Sequence, residues 1–367
     1  MDWFERLTGF RESTWTETQA KLEVAGTTLR SRVNGATYDI GTLELVALQA
    51  LRDRVAGQPA LRGRLSVDIV RGNARDLHQS PENADALFQV ASQFNLLEMV
   101  CPDVTPDDGV TRYEGDGTQG PACAIAAGAA AIYRNYFVPV GAQTGQTRDR
   151  QLDGLAPLGA LLAEGTGLPV DALWTMRNGY AVCTRKGLLA IDRHLASLDA
   201  MAIDRLRAAL CIGLHHEVEV TDEPHDVSIP TPASGSNVRP RVSQAFCSAL
   251  PLGYGEDRTP ALWRSFATLV LEAAYEATLC AALAQAHAGG SRKVLLTSLG
   301  GGVFRNDETW IIAAMVRALR LFEDSGLDVR VVSYTEPSAA LEQMVAMFNG
   351  RQSSVAQPGA PVARPRT

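Results

Sequence analysis

The sequence predicts an α/β fold, in which apolar strands alternate with helices along most of the chain. Residues 64–71 carry the β-branched and polar residues that are typical of a strand. Near the C-terminus, a predicted strand at 293–299 is followed by a helix at 309–322 and a second strand at 328–334. This order predicts a parallel βαβ crossover, and a long apolar helix at 261–288 precedes it.

Residues 1–62 are predicted to form a hairpin–helix extension that precedes the main domain. Apolar and polar residues alternate from 21 to 33, and the pattern breaks at Asn34-Gly35, a dipeptide typical of β-hairpins. Apolar residues at helical spacing follow at 42–52. The pattern therefore predicts a β-hairpin and then one helix.

The main domain is predicted at 63–350, with a helical insertion at about 141–235. Residues 83–92 fit either a buried strand or a short helix. Small residues at 120–133 predict a helix that packs closely against its neighbours, and a further helix is expected at 188–214.

Two segments are expected to lack regular structure. The stretch at 221–241 is rich in Pro, Ser and Asp, which predicts a loop. Residues 351–367 contain Pro, Gly, Ser and Arg with little to bury, so we expect a disordered tail there.

The composition argues against several classes of partner. The formal net charge is −7 at pH 7, whereas a protein that binds a nucleic-acid backbone needs an excess of basic residues. The longest apolar run, at 121–133, is shorter than the roughly 20 residues that span a bilayer. Residues 1–6 lack the basic and apolar stretch of a signal peptide. We therefore expect a cytoplasmic protein with neither a nucleic-acid partner nor a membrane segment.

Neither the cysteines nor the histidines form a metal-binding pattern. The six cysteines are widely spaced without a CxxC pair, which predicts packed, reduced thiols rather than a zinc ribbon or a dithiol site. No histidine lies near Cys123 in the sequence, so a packed thiol is expected there as well. His215 and His216 would point to opposite faces of a strand and would not share an ion. We expect no metal and no cofactor.

The turn between the strand at 293–299 and the next helix carries Gly300, Gly301 and Gly302. Without side chains, backbone amides turn outward and approach a phosphate closely. Asp307 and Glu308 open the helix and would occupy its free amides, so we assign the phosphate contact to the glycine amides rather than to the helix dipole. The alternative is a plain tight turn, which needs only one glycine.

The loop at 95–121 concentrates carboxylates, amides and glycines ahead of the next helix. Its candidate catalytic acids are Asp107, Asp108, Glu114 and Asp116. Crowded carboxylates raise one another's pKa and become candidates for general acids and bases. The alternative is a solvated acidic loop with local side-chain turns.

Taken in order, these segments resemble a macrodomain, a fold that binds ADP-ribose, over about residues 64–345. The sequence at 300–304 is similar to the family's second phosphate loop, Gly-x-Gly-Val-Phe. Residues 90–95 resemble its Asn-Ala-Ala-Asn strand end. Residues 70–74 resemble a strand that ends in Gly-Asp-Ile-Thr, with Asn73 in place of the acid.

The sequence departs from the family after Asn95, where Leu-Leu-Glu stands at 96–98 instead of three glycines. The segment at 118–124 and the loop before it resemble a divergent macrodomain subgroup. That subgroup includes hydrolases that act on ADP-ribosylated ubiquitin.

The resemblance implies a three-layer fold with a mixed sheet flanked by helices, and a site for ADP-ribose. Asn73 would contact adenine, with Asp76 as the alternative, and Tyr334 would stack on the same base. Asn95 and Phe304 would contact the distal ribose. The implied ADP-ribose-binding residues are Asn73, Asn95, Glu98, Gln119, Gly300, Gly301, Gly302, Val303, Phe304, Arg305, Asn306 and Tyr334.

The implied activity is removal of ADP-ribose from a modified protein side chain, with ubiquitin as one candidate protein. Hydrolysis at the anomeric carbon passes through an oxocarbenium-like state that a carboxylate stabilises. Asp108 and Asp116 are the first candidates because both lie beside glycines, and Asp107 and Glu114 follow. Glu98 would orient the ribose hydroxyls. A reader that binds ADP-ribose without cleaving it, and an interaction protein on a decayed macrodomain, stay open as alternatives.

Overall fold

The fold comes from a computed structural model that describes residues 1–59, 61–222 and 239–355. The strands are β1 (Leu22–Ala25), β2 (Thr28–Ser31), β3 (Thr37–Asp39), β4 (Thr42–Ala47), β5 (Ser66–Arg71), β6 (Leu87–Ala91), β7 (Pro139–Val140), β8 (Gln143–Thr144), β9 (Trp174–Arg177), β10 (Tyr180–Cys183), β11 (Cys211–Glu219), β12 (Arg241–Cys247), β13 (Lys293–Leu296) and β14 (Asp328–Ser333). The helices are α1 (Trp3–Thr8), α2 (Trp15–Ala20), α3 (Leu48–Val55), α4 (Ala74–Gln79), α5 (Gln119–Ala126), α6 (Gly128–Tyr136), α7 (Ala156–Thr166), α8 (Val170–Leu173), α9 (Arg185–Ser197), α10 (Ala200–Ala208), α11 (Pro260–His287), α12 (Glu308–Leu321) and α13 (Ala339–Val355). Between β6 and α5 lie the 3₁₀ helices Pro106–Asp108 and Thr111–Gly115.

A mixed sheet of seven strands, in the order β4-β11-β12-β6-β13-β14-β5, forms the centre of the fold. The strands from β12 to β5 in this order run parallel, whereas β11 is antiparallel to both of its neighbours. The predicted crossover β13–α12–β14 is confirmed, since β13 and β14 pair in parallel.

Helices cover both faces of this sheet. Leu87 and Val294 belong to the core on the side of α11, while their neighbours Phe88 and Leu295 pack with Ala130 of α6 on the opposite side. Successive residues of a strand point to opposite faces, so each central strand supplies both cores. The expected three-layer α/β architecture is confirmed.

The 28-residue helix α11 is the centre of the larger core and packs against α3, α9, α10 and α12. Among the described residues, it is the one helix long and apolar enough to cross a membrane, with a mean hydropathy of 1.4 over its most apolar window. However, 83% of that window is buried inside the fold. A helix that is apolar all round and enclosed by others is typical of a protein core.

The predicted helix at 42–52 is wrong in its first half. Residues 42–47 form β4, which pairs with β11 at the edge of the central sheet, and α3 begins only at Leu48. The sequence Thr-Leu-Glu-Leu-Val fits the strand period of two as well as a helical face, and the partner strand decides between them. The domain boundary expected after residue 62 therefore separates β4 from the other six strands of the central sheet.

The expected N-terminal hairpin is part of a three-stranded antiparallel sheet, β1-β2-β3. The tight turn of the first hairpin is at Gly26, with φ +60°, and Asn34-Gly35 lies in the connection from β2 to β3. Helices α1 and α2 precede this sheet and are absent from the sequence-based prediction.

The expected insertion at 141–235 contains helices α7 to α10, but also the hairpin β9–β10 and the sheet strand β11. The single helix predicted at 188–214 is wrong, because α9 ends at Ser197 and a new helix starts behind Asp199. The Asp199 carboxylate accepts a hydrogen bond from the amide of Ala202 at 2.7 Å and so caps α10. Strand β11 then begins at Cys211.

Other expectations need smaller corrections. The helix predicted at 120–133 is interrupted at Ala127, whose φ of −113° and ψ of 56° separate α5 from α6. In the expected tail, α13 continues to Val355, and residues 356–367 lie outside the described residues. Residues 223–238 of the expected loop also lie outside them.

The cysteines and histidines are placed as the spacing predicts. All six cysteines are free thiols, and burial raises the pKa of Cys123 well above its usual value. His215 is fully buried, while His216 on the opposite face of β11 is half-buried and reaches Glu44 at 3.3 Å. No group of three or more His, Cys, Asp or Glu suited to a metal ion occurs in the described ranges.

Candidate functional site

A cavity of about 660 Å³ opens at the carboxyl ends of the parallel strands. Its walls include Gly72 behind β5, Ser92 behind β6, Thr297 behind β13 and Tyr334 behind β14. Ligands of α/β proteins commonly bind at this edge, because the loops behind parallel strands converge there. The volume lies within the range of about 300–1,000 Å³ that small-molecule sites occupy.

The glycine turn between β13 and α12 forms one wall of this cavity. The residues of the turn that border the cavity are Gly300, Gly302, Val303 and Phe304. Within the described part of the chain, no protein group accepts a hydrogen bond from the amides of these four residues. Gly300 has φ +75°, which favours glycine, and a Cβ at Gly302 would meet no atom within 4 Å. The turn thus offers free backbone donors to a ligand.

The start of α12 is capped by the protein itself, as the sequence predicts. The Asp307 carboxylate accepts hydrogen bonds from the amide and the hydroxyl of Thr309 at 2.8 and 2.6 Å. The helix terminus already has an anionic partner, so the amides left for a ligand are those of the turn.

Three residues of this segment hold the turn in shape and do not line the cavity, which corrects their expected contact with a ligand. The Gly301 amide donates to the carbonyl of Ser298, and the Arg305 amide donates to that of Gly302. Asn306 is buried, and its amide nitrogen donates to the carbonyl of Leu250 at 2.9 Å.

Two of the four candidate catalytic carboxylates line the cavity, Glu114 and Asp116. Glu114 is exposed and Asp116 is half-buried. One oxygen of Asp116 accepts a hydrogen bond from the amide of Thr118 at 2.9 Å. This local turn fixes the side chain and leaves its second oxygen for a ligand or a water molecule.

Asp107 and Asp108 do not line the cavity, and this corrects their assignment as candidate catalytic residues. Asp108 accepts hydrogen bonds from the amide and the hydroxyl of Thr105 at 2.8 and 2.9 Å, and these bonds lower its pKa. It caps a 3₁₀ helix. Asp107 accepts a hydrogen bond from the amide of Arg148 at 3.2 Å. Gly109, beside Asp108, supplies the positive φ of 78° at which this 3₁₀ helix ends.

Glu98 forms part of the cavity wall, but its side chain is fully shielded from bulk water. It pairs with the equally buried Arg134 at 3.4 Å. Burial raises the pKa of Glu98 to about 7, although Arg134 and Tyr113 oppose this shift. The carboxyl therefore changes protonation near neutral pH.

Asn95 lies away from the cavity and is fully buried, contrary to its expected role at the distal ribose. Its amide nitrogen donates to Gln151 at 2.8 Å, and its oxygen accepts from the amide of Leu97 at 3.1 Å. The turn at Gly179 of the insertion packs directly on it, so that a Cβ there would collide with Asn95. The side chain joins the main domain to the insertion.

Gln119 lines the cavity, but its side-chain amide serves the end of β6. It accepts a hydrogen bond from the amide of Ala91 at 2.9 Å and donates one to the carbonyl of Gln89 at 3.0 Å. Pairing of β6 with β13 ends at Phe88, so the backbone groups at the end of β6 lack a partner in β13. The Gln119 side chain forms hydrogen bonds with these groups instead.

The two predicted adenine contacts, Asn73 behind β5 and Tyr334 behind β14, line the cavity. Asn73 caps α4 with its oxygen, which accepts from the amide of Arg75 at 2.9 Å. Tyr334 is 74% exposed and lines the same cavity. Arg75, which the sequence-based prediction missed, also lines it and pairs with Asp222 at 2.6 Å. Asp76 is not in the wall.

A second missed residue is Tyr180, which the insertion contributes to the cavity. Its ring lies 5.4 Å from that of Phe304 and 5.2 Å from that of Tyr254, and its hydroxyl donates to the carbonyl of Met99. Asn178-Gly179 is a hairpin signal that would have identified β9–β10. Nothing local in the sequence indicates which wall this hairpin meets.

No family model matches the chain, and no curated protein matches it. Among solved structures, a mutant poly(ADP-ribose) glycohydrolase from Deinococcus radiodurans in complex with ADP-ribose aligns with 86% of this chain and 95% of its own, at 12% identity and a TM-score of 0.44. The poly(ADP-ribose) glycohydrolase from Thermomonospora curvata bound to the inhibitor ADP-HPD aligns with 92% and 96%, at 14% identity and a TM-score of 0.40. At these identities and TM-scores, the likenesses establish neither a family nor an activity for this chain. Its function is therefore inferred from its own residues.

Proposed function

We propose that the cavity binds ADP-ribose. The diphosphate contacts the free amides of Gly302, Val303 and Phe304, because backbone donors that border a cavity and have no protein partner are natural partners of a phosphate. The adenosine end lies toward Asn73 and Tyr334. The observation that carries this proposal is that unpaired amides and carboxylates line one cavity of suitable size.

We further propose that the protein hydrolyses the bond between ADP-ribose and a modified protein side chain. Water attacks the anomeric carbon of the distal ribose, the bond to the side-chain atom breaks, and that atom leaves with a proton. Asp116 is the first candidate to stabilise the positive charge that develops on the sugar, and Glu114 is the second. Ubiquitin is one candidate among the modified proteins.

A reader that binds ADP-ribose without cleaving it is the second candidate function. Two observations favour it. One oxygen of Asp116 is already engaged by the Thr118 amide, and the Glu98 side chain is shielded from the cavity solvent. In a reader, Asp116 and Glu114 accept hydrogen bonds from ribose hydroxyls and activate no water.

Release of free ADP-ribose distinguishes the two functions. The protein is incubated with proteins modified at arginine, at acidic residues or at serine and threonine, and ADP-ribose is measured over time. Release from any linkage at a rate proportional to protein concentration supports the hydrolase. Tight ADP-ribose binding without release from any linkage supports the reader instead.

We propose the cytoplasm as the location of this function. The net charge of −7 and the six free thiols support a cytoplasmic protein that binds neither nucleic acid nor a membrane. Among the residues that the structure describes, the one helix long and apolar enough to cross a membrane, α11, is mostly buried in the core.

A further inference from the structure

Glu12, in the segment between α1 and α2, reaches the loop that carries the candidate carboxylates. One of its oxygens accepts a hydrogen bond from the amide of Val110 at 2.9 Å, and the other accepts from the amide of Thr111 at 2.7 Å. The Tyr136 hydroxyl donates a third bond at 2.7 Å. Hydrogen bonds to an ionised acceptor are stronger than those between neutral groups.

The loop is shaped to receive this carboxylate. Gly109 has φ +78°, and a Cβ at this position would collide with the Glu12 carboxylate. From the same N-terminal segment, the Trp3 indole donates to the carbonyl of Thr111 at 3.3 Å. The amide and the carbonyl of Thr111, at the start of the 3₁₀ helix Thr111–Gly115, thus both form hydrogen bonds with residues that precede β1.

The held end of this 3₁₀ helix is directly connected to the cavity wall. The helix is five residues long and contains Tyr113, which is buried and whose hydroxyl accepts a hydrogen bond from the amide of Glu98 at 3.2 Å. Glu114 and Asp116, the two candidate carboxylates in the cavity, lie on the same helix and just behind it. Thr111 and Asp116 are thus separated by only five positions in the chain, most of them within this 3₁₀ helix.

We propose that Glu12 is a positioning residue for the carboxylate wall, so that the N-terminal segment is a functional part of the site. This inference rests on the proposed hydrolase function. Glu12 touches no cavity surface itself. It acts by fixing the backbone that presents Asp116, while the glycine turn lies on a separate wall behind β13.

Because the two walls are separate, Glu12→Gln should lower turnover without weakening ligand binding. The glutamine nitrogen is a donor and faces an amide N–H, so one of the two backbone bonds is lost. We expect kcat to fall by about 10- to 100-fold, since a displacement of about 1 Å has effects of that size. The Kd for ADP-ribose and the KM should stay within about twofold of wild type.

The experiment compares Glu12→Gln with Glu17→Gln, an exposed carboxylate of α2 whose side chain makes no hydrogen bond or ion pair to a described residue of the loop. Release of ADP-ribose from the best modified protein gives kcat and KM, and calorimetry with free ADP-ribose gives Kd. The control should match wild type in all three. A Glu12→Gln variant with wild-type kcat, or with kcat and ADP-ribose affinity reduced equally, overturns the proposal.

If Glu12→Gln does not fold, Gly109→Ala perturbs the same contact from the loop side and should give the same loss of kcat at constant Kd. Unchanged kcat in that variant overturns the proposal. Measurements on the wild type distinguish failure of the proposed function from failure of the role of Glu12 alone. A wild type that neither binds nor cleaves removes the proposed function together with this role, whereas a normal wild type beside an active Glu12→Gln variant removes only the role of Glu12.

Discussion

Glu98 and Arg134 form an ion pair whose side chains are both fully shielded from solvent. Arg134 also donates to the carbonyl of Leu96 at 3.0 Å and lies over the ring of Phe246. Such a pair costs desolvation free energy and persists because its remaining donors are satisfied. In this wall, the low polarity of the surroundings outweighs the attraction of Arg134 and raises the pKa of Glu98.

This pKa predicts how stability varies with pH. Its value is about 7 in the folded protein against an ordinary value of 4.5, so between these two values the folded state binds more protons than the unfolded state. The contribution of Glu98 to the free energy of unfolding therefore falls as the pH rises through this window and levels off above pH 7.

The matched variant for this test is Glu98→Gln, which cannot ionise. Urea unfolding at several values between pH 4.5 and 8 should show that the difference in unfolding free energy between the variant and the wild type moves in favour of the variant as the pH rises. Curves that run parallel over the whole range would show that Glu98 ionises normally in the fold.

Asp116 and Asp107 belong to the same loop, but only Asp116 lines the cavity. Asp116→Asn should lower turnover by at least about 100-fold, because it removes the charge that stabilises the sugar cation. ADP-ribose binding should be retained. Asp107→Asn is the control and should keep near-wild-type turnover. Equal loss of activity in both variants would contradict the assignment of Asp116.

At the scale of the element, the strand–turn–helix from β13 to α12 contributes the anion-binding wall. Its three glycines have different tasks: Gly300 takes a left-handed φ, Gly301 closes the turn through Ser298, and Gly302 leaves open space toward the cavity. Only the last position can accept a side chain without strain or collision.

Gly302→Glu uses that open position. Its φ lies outside the left-handed region and a Cβ meets no atom within 4 Å, so the variant should fold normally. The added carboxylate occupies or repels the site of the diphosphate, and ADP-ribose affinity should fall by at least about 100-fold, or about 2.7 kcal/mol. Gly350→Glu, at another unobstructed and exposed glycine, should bind as the wild type does. Calorimetry of both variants measures this, and equal affinities would place the diphosphate elsewhere.

Elements whose identity depends on local sequence were predictable. Strand β13, helix α12 and strand β14 follow from apolar periodicity, and the cap at Asp307 follows from residue type. The segments at 42–52 and 188–214 were not, because their apolar spacing fits both a strand and a helix. In the first segment, the pairing of β4 with β11 decides the outcome, and that pairing joins residues far apart in the chain. In the second, it decides only the residues from Cys211 onward, while the cap at Asp199 divides α9 from α10.

At the scale of the whole molecule, the site is assembled from parts distant in sequence. The insertion supplies Tyr180, the N-terminal segment holds the loop of Asp116 through Glu12, and β14 brings Tyr334 to the far side. Eight of the twelve predicted ADP-ribose contacts line the cavity, because the carboxyl ends of the parallel strands converge there. Asn95 could not be excluded from the sequence, since its burial depends on the insertion that covers it.

The central claim is that the free amides of the 300–304 turn hold the diphosphate of ADP-ribose in this cavity. Thermal and calorimetric titration of the wild type with ADP-ribose, with AMP and ribose 5-phosphate as weaker-binding controls, tests it most directly. We expect one ligand per chain and a stabilisation of about 2.7 kcal/mol at a ligand concentration 100 times the Kd. We also expect this stabilisation to disappear in Gly302→Glu. A wild type that ADP-ribose does not stabilise, or a Gly302→Glu variant that it stabilises equally, would contradict the account.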